Sequence, residues 1–354
     1  MKKMKVKNTL SRLSALIFAV VLSLFAAACS KTEEKAELHL YSWEDYIDPE
    51  LLEQFEKEYN CKVKLETFAS NEQMYAKLKN GASGYDVVVP SSYMAKVMYE
   101  QKMLEKLDLA QLPNMKKYYD KTFDVLNMDK DHVYTAPYFI SFTGIGYDAS
   151  KVKDFEPTWK MFEREDLKGK TSLLDDHREV LGAALKSLGY DVNSVDEKQL
   201  DEAVALARKW KQNIAKFGVD DSRQNLADGS FFLIQTYSGD LLQNAVDNEN
   251  LKFVIPREGS TVTFDNLCIL KNSKQKDLAY KFINFLYENE NAAKNMDYVM
   301  YRMPHTEAVK SVDESIRDHE LFNIKPEVFK LCTPLDDLGE NQKLYSEAWD
   351  KIKQ

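Results

Sequence analysis

Aromatic and hydroxyl side chains follow two predicted strands, at the positions where a sheet places its ligands. Leu38–Trp43 alternates apolar and polar residues as a strand does, and Trp43 and Tyr46 come at its carboxyl end. Ser91 and Tyr93 follow a second, buried strand-like run in the same way. Open α/β sheets bind ligands at these ends, and aromatic faces attract cations and cover methylene groups. The residues therefore favour a ring-walled binding site. The alternatives are a core position for Trp43 and helix capping for the serines.

An acidic pair, Asp176 and Glu179, has two further interpretations. Its Asp-x-x-Glu spacing is that of a capping box, which satisfies free N–H groups at the start of a helix. Two carboxylates could also serve an enzyme as a proton relay, but the sequence has no catalytic triad beside them. The five histidines are scattered without metal-ligand spacing, and neither a CxxC pair nor a Gly-rich phosphate loop occurs. We therefore predict no enzyme activity, no metal and no cofactor.

Composition and charge narrow the class of protein. The 354 residues suffice for two or three domains, and 44% apolar with 30% charged residues is ordinary for a globular protein. Aromatic residues reach 12%, which is consistent with a ring-lined surface. The net charge of −9 argues against nucleic acid as a partner, because phosphate binding needs a basic face.

The N-terminus has the pattern of an export signal. A basic segment precedes the apolar run Leu13–Ala28, whose 16 residues fall short of the roughly 20 that span a bilayer. The run ends in small residues directly before Cys29, which resembles the lipobox of bacterial lipoproteins, although Ala26 stands where a larger aliphatic residue is usual. We predict a lipoprotein signal peptide over 1–28, lipidation of Cys29 and a tether over 29–36. The alternative is a soluble secreted protein with an incidental cysteine.

Strands alternate with helices along the mature chain, which predicts mostly parallel sheets flanked by helices. The first such region covers residues 38–103, and a second begins near Gly144. Cys61, Cys268 and Cys332 remain after Cys29; the sequence leaves open whether they are core residues or two of them form a disulfide.

Collectively, several segments resemble the spermidine/putrescine-binding proteins of bacterial ABC importers, from about residue 38 to 352. The segments that carry this resemblance are LHLYSWEDYI (38–47), SNEQMYAKL (70–78), YDVVVPSSY (85–93), LLDDHREV (173–180), YSGD (237–240), TFD (263–265) and KFINFL (281–286). The resemblance implies an α/β periplasmic-binding-protein-like fold with two lobes joined by crossover hinges. Lobe one is expected at 37–140 plus 264–308, and lobe two at 141–263 plus 309–354.

The same resemblance implies a polyamine site between the lobes. Its expected ligand-binding residues are Trp43, Tyr46, Ser91, Tyr93, Asp176, Glu179, Tyr237, Asp240, Asp265 and Tyr301. Amines would bridge Asp265 of one lobe and Glu179 and Asp240 of the other. Thr263 stands where the family has an aromatic ring and Leu335 where spermidine binders have Gln, so putrescine is favoured and spermidine remains possible.

Glu44 and Asp45 are expected to be a solvated or capping pair, and His177 and Arg178 to lie at the surface or behind the ligand residues. The predicted function is a monomeric, lipid-anchored binding protein that delivers a polyamine to an ABC permease, in the periplasm or on the extracytoplasmic membrane surface. Two alternatives remain. One is a binding protein for another solute, such as a metal or a sugar; the other is a surface protein for adhesion or sensing.

Overall fold

Ten strands form one mixed sheet in the computed structural model, which describes residues 35–245, 248–319, 322 and 326–354. They are β1 (Glu37–Ser42), β2 (Lys62–Thr67), β3 (Val87–Val88), β4 (Ala136–Asp148), β5 (Thr171–Leu173), β6 (Lys216–Phe217), β7 (Leu233–Tyr237), β8 (Leu251–Val254), β9 (Ser260–Ile269) and β10 (Cys332–Pro334). Their order is β2-β1-β3-β9-β4-β7-β5-β6, with β8 beside β4 and β10 beside β9.

Helices cover the sheet. They are α1 (Pro49–Glu58), α2 (Asn71–Lys79), α3 (Ser92–Glu100), α4 (Pro113–Tyr118), α5 (His177–Ser187), α6 (Glu197–Lys211), α7 (Asp220–Ala227), α8 (Ser238–Ala245), α9 (Lys276–Leu286), α10 (Asn289–Val299), α11 (Glu314–Arg317), α12 (Pro326–Phe329) and α13 (Gln342–Lys353). Side-chain caps mark several of these starts, for example those of α2 and α5. Ser70 accepts the N–H of Gln73 before α2, and Asp176 accepts that of Arg178 before α5.

The length of β4 and its pairing with the long strand β9 are the part of the fold that the sequence pattern does not reveal. They pair with each other antiparallel, while β1 pairs parallel with β2 and β3, and β5 parallel with β6 and β7. Twelve of the 13 residues of β4 are buried, so apolar and polar side chains do not alternate along it. A strand covered on both faces lacks the period-two signal, which explains why no strand is predicted over residues 136–148.

Two hydrophobic cores lie at the two ends of these long strands and define two lobes. The first core packs α1 and α9 against β1 and β9, through residues such as Leu40, Phe55 and Phe282. The second packs α5, α6 and α13 against β5 and β7, through residues such as Leu181 and Trp210. Because β4 and β9 belong to both parts of the sheet, they carry the chain from one lobe to the other.

Other predictions concern the cysteines and the N-terminal segment. Cys61, Cys268 and Cys332 are buried, and no disulfide joins any two of these three cysteines, which answers the open question of a disulfide between them. In the described ranges, no helix combines the length and apolar character needed to cross a bilayer. The predicted signal peptide, Cys29 and the tether up to residue 34 lie outside the described residues.

Candidate functional site

A cavity of about 640 Å³ lies between the two lobes, and all ten predicted site residues line it. The remaining lining residues are Glu44, Phe68, Ala69, Asn71, Ser141, Val219, Asp220, Thr263 and Leu335. None of the lining residues is basic, and six are acidic. The cavity wall is therefore both aromatic and negatively charged.

Asp265 supplies the carboxylate of the first lobe. It lies on β9 opposite Ser91, which precedes α3, and the two backbones form an isolated β-bridge. Ser91 Oγ donates to Asp265 Oδ1 at 2.6 Å, and Tyr46 OH donates to Oδ2 at 2.6 Å. Asn71 Nδ2 donates in turn to Ser91 Oγ. Burial raises the pKa of Asp265 to about 6 against the opposing effect of these two hydrogen bonds.

Asp176 and Glu179 come from the start of α5 in the second lobe. Asp176 caps this helix, since its Oδ1 accepts the N–H of Arg178 at 2.8 Å and that of Glu179 at 3.3 Å. The Glu179 carboxylate accepts the hydroxyl of Thr261. Burial, reinforced by the charge of Asp176, raises the pKa of Glu179. The capping interpretation of Asp176 is thus confirmed, and the same geometry directs both carboxyl groups to the cavity.

Asp240 and Tyr301 join the lobes at another part of the wall. Tyr301 OH donates to Asp240 Oδ1 at 2.7 Å and accepts the Asp240 N–H at 3.2 Å. Burial raises the pKa of Asp240 to about 6, while the nearby charge of Arg223 lowers it. The residue before it, Gly239, has no room for a side chain, because an added Cβ would lie 2.3 Å from the Tyr301 ring. Glycine at this position is what brings the phenol to the carboxylate.

Aromatic rings form the apolar part of the wall. The Trp43 ring lies 4.5 Å from that of Phe68, centroid to centroid. The Tyr46 ring meets that of Tyr301 edge-to-face at 5.3 Å. Tyr237 ends β7 and faces the cavity. These rings are held by the first core and by one another, which keeps their faces in place for a ligand.

Some sequence interpretations of neighbouring residues were wrong. Neither serine caps α3, because Ser91 bonds to Asp265 and Ser92 Oγ donates to the Phe264 carbonyl. Glu44 and Asp45 are both exposed, as the solvated alternative predicts, and the next helix is capped by Asp48 rather than by either of them. Glu44 lines the cavity, whereas Asp45 forms an ion pair with Arg223 of the second lobe at 2.9 Å.

His177 and Arg178 are also placed differently from the surface option, since both are buried. Sequence reasoning missed Asn71, Ser141 and Asp220 as cavity residues. The residue types of these three do not by themselves indicate a place in a binding cavity. Asn71 could have been suspected only from its place beside the capping serine at the start of α2.

Within the part of the chain that the structure describes, the buried carboxylates of the cavity form no ion pairs, although the charge of Arg223 lies near Asp240 and that of Arg178 near Glu179. Among the described residues, no ion pair includes Asp176, Glu179, Asp240 or Asp265. An ionised carboxylate buried without a counter-charge is costly, which agrees with the raised pKa values. The site therefore suits a cationic ligand and repels an anionic one.

Comparisons with known proteins extend along most of the chain. Residues 50–323 match the family of bacterial extracellular solute-binding proteins. Over 352 residues the chain is 30% identical to a putrescine/cadaverine-binding protein of Pseudomonas aeruginosa, covering 94% of this chain and 98% of the relative. A spermidine/putrescine-binding periplasmic protein of Escherichia coli is 32% identical over 339 residues, with coverages of 95% and 96%.

A solved structure from Listeria monocytogenes, provisionally assigned to a spermidine/putrescine ABC transporter, is also similar. It has a TM-score of 0.86 and 36% sequence identity, and the match covers 90% of this chain and 99% of that one. This similarity confirms the predicted two-lobed α/β fold, since it extends over both lobes.

Proposed function

This chain belongs to the bacterial extracellular solute-binding protein family, and from that premise we propose that it captures a polyamine between its lobes and delivers it to an ABC permease. The proposal includes no enzyme activity. Its relatives from P. aeruginosa and E. coli are named for binding putrescine, cadaverine or spermidine. Their names supply the ligand class, and the chemistry of the cavity supports it independently.

The unpaired buried carboxylates are the observation that carries the proposal. At neutral pH a diamine is an apolar chain with an ammonium group at each end. Asp265 lies in one wall of the cavity and Glu179 and Asp240 in the opposite lobe, so carboxylates are available to both ends. Each charge-assisted hydrogen bond contributes about 1.5–3 kcal/mol net, and a ring face about 0.5–2 kcal/mol. A few such anchors suffice for a micromolar complex, which needs about 8 kcal/mol.

Within the polyamines, we propose a preference for putrescine over spermidine. Leu335 and Thr263 both line the cavity. Neither offers a third ammonium group a charged acceptor, and Leu335 would leave a buried donor unsatisfied. The exposed carboxylate of Glu44 at the wall is the feature that keeps spermidine a possible ligand.

We propose that the lobes close over the amine by a hinge between residues 140 and 141 and between 263 and 264. Ile140 pairs with Phe264 and Ser141 with Thr263, so the two crossovers lie side by side in the sheet. This register supports the four lobe bounds that lie at these crossovers, namely 140 and 264 for lobe one and 141 and 263 for lobe two. Val312 and Ile316 pack in the first core, which favours a third crossover after these residues rather than at 308.

The proposed location is the extracytoplasmic side of the cell membrane, with a lipid anchor at Cys29 and a monomeric chain. The family is extracellular, and the E. coli relative is named as periplasmic. The anchor rests on the sequence pattern of residues 1–29. Replacing Cys29 with Ala should release the protein from membranes into the soluble fraction, whereas an unchanged membrane fraction would contradict the anchor.

A thermal-shift screen tests the proposed ligand class. Putrescine, cadaverine and spermidine should each raise the melting temperature of the mature protein, because a ligand that binds only the folded state at about 100 times its Kd stabilises it by about 2.7 kcal/mol. Divalent cations, neutral sugars and an aliphatic diacid serve as comparisons. A shift with metals or sugars but not with amines would favour another solute, and no shift with any compound would favour adhesion or sensing.

A further inference from the structure

A second group of polar contacts, besides the Asp45–Arg223 ion pair, joins the lobes next to the cavity. Glu72 of α2 in the first lobe receives two hydrogen bonds at Oε1, from Tyr93 OH at 3.1 Å and from Gln342 Nε2 at 3.3 Å. Gln342 is the first residue of α13, which packs in the second core. His177 Nε2, also of the second lobe, lies 3.9 Å from the same oxygen.

Gln342 is oriented by both lobes at once. Its Oε1 accepts from the Arg178 guanidinium at 3.3 Å, while its Nε2 donates to Glu72. Only this orientation of the amide serves a cation on one side and a carboxylate on the other. The side chain therefore connects Arg178 of its own lobe to Glu72 of the opposite lobe.

Arg178 makes a second contact across the same boundary. Its guanidinium lies over the Tyr93 ring at 5.1 Å and over the Tyr345 ring at 4.9 Å, so one ring comes from each lobe. Among the described residues, Arg178 forms no ion pair, and its Nε is buried without a hydrogen-bond partner. Stacking on the Tyr93 ring gives this buried cation part of the electrostatic stabilisation that an ion pair would otherwise provide.

These contacts continue directly into the ligand cavity. Asp176 and Glu179 line the cavity from the start of α5, and His177 and Arg178 between them face the lobe boundary. Tyr93 lines the cavity with its ring and bonds to Glu72 through its hydroxyl. The start of α5 thus carries two cavity carboxylates and one side of the lobe contact. Tyr93 of α3 both lines the cavity and forms the other side of that contact.

We propose that Gln342, with Glu72 and Arg178, forms a latch that holds the lobes together and sets how long a bound amine is retained. The latch rests on the proposed amine-binding function, because it acts on the dissociation of that ligand. Gln342 does not line the cavity, so it is a positioning residue. The contacts are made only when the lobes meet, so the latch slows opening and leaves the first encounter with the amine unaffected.

Two substitutions at Gln342 separate a latch from support within the second lobe. Gln342→Ala removes both hydrogen bonds. Gln342→Glu keeps an acceptor for Arg178 and places a like charge against Glu72. Exposed Lys343, the next residue of α13, provides the control Lys343→Ala.

Stopped-flow tryptophan fluorescence with putrescine gives the two rate constants. Gln342→Ala should raise the dissociation rate about three- to tenfold, the effect of losing one hydrogen bond, and Gln342→Glu should raise it further. For both Gln342 variants, the association rate and the melting temperature of the ligand-free protein should match those of the wild type. The Lys343→Ala variant should match the wild type in every measurement. Wild-type dissociation from Gln342→Glu would overturn the latch, as would a loss that appears mainly in the association rate.

X-ray scattering of the ligand-free protein keeps the two proposals distinguishable. If wild-type protein fails to bind putrescine and spermidine, the proposed function fails, but the latch still predicts a larger radius of gyration for Gln342→Glu than for wild type and Lys343→Ala. Equal radii for the three proteins would overturn the latch, whatever the outcome with amines.

Discussion

Replacing Asp265 with Asn should abolish most of the affinity for putrescine without weakening the fold. The side chain is 5% exposed and accepts hydrogen bonds from Tyr46 and Ser91, both at 2.6 Å. Asn keeps the shape but removes the charge that would face an ammonium group. Breaking a buried ion pair by removing one partner costs about 3–5 kcal/mol, so we expect the affinity to fall at least about 100-fold.

Stability should change in the opposite direction. Burial raises the pKa of Asp265 to about 6 from the ordinary value of about 3.9. A carboxyl group whose pKa is higher in the folded state stabilises the fold below its unfolded pKa and loses that contribution as the pH rises through about 6. At pH 8 the ionised group costs up to about 3 kcal/mol, at about 1.4 kcal/mol per pKa unit. The ligand-free Asn variant should therefore melt at a higher temperature than wild type at pH 8, and the difference should shrink at pH 5.

Calorimetric titration with putrescine and thermal melts at the two pH values measure these effects. Asp277→Asn, an exposed aspartate on α9 of the same lobe, controls for the loss of one negative charge. An affinity within about tenfold of wild type, which is about 1.4 kcal/mol, would refute the role of Asp265 as an amine anchor. A lower melting temperature at pH 8 would instead refute the burial cost on which the stability argument rests.

Three other predictions concern the same cavity. Because burial raises the pKa of both Asp240 and Asp265 to about 6, binding of an amine should release protons and the affinity should fall as the pH is lowered from 8 to 5; calorimetry in buffers of different ionisation enthalpy measures this, and a pH-independent affinity would contradict it. Tyr301→Phe removes a hydrogen bond to Asp240 and should weaken putrescine binding about three- to tenfold. Gly239→Ala forces the Tyr301 ring aside and should weaken binding more and lower the melting temperature. Affinities equal to that of the wild type would show that the phenol does not orient the carboxylate. Leu335→Gln adds an acceptor at the cavity wall and should shift selectivity toward spermidine about three- to tenfold by competitive titration, whereas an unchanged ratio would remove Leu335 from the basis of selectivity.

Local patterns predicted the elements that carry the site. The alternation of Leu38–Trp43 and the capping signal at Asp176 placed β1 and the start of α5 close to their observed positions. These signals are local because a cap or an amphipathic face depends on residues within about one turn of each other. The strand ends indicated Trp43, Tyr46, Ser91 and Tyr93, whereas the full set of ten ligand residues came from resemblance to a family. The structure brings all of them to one cavity. Their contact with an amine stays a prediction.

The long strands show where local pattern fails. β4 is buried on both faces, so it has no alternation to read, and its antiparallel pairing with β9 joins residues at least 120 positions apart. Nothing in the neighbourhood of either segment specifies such a partner. The crossovers of the two lobes therefore could not be placed from periodicity alone.

The sequence by itself determined the residue types of the site: acids without bases, rings at strand ends and a glycine before Asp240. Tertiary structure decided what each does. In the folded chain Ser91 donates a hydrogen bond to Asp265 instead of capping a helix, and Arg178 is buried between two aromatic rings. Gln342 donates a hydrogen bond to Glu72, which lies 270 positions away in the sequence. The physical reason is that a hydrogen bond or a burial cost depends on which groups meet in space, and chain neighbours do not specify groups from the opposite lobe.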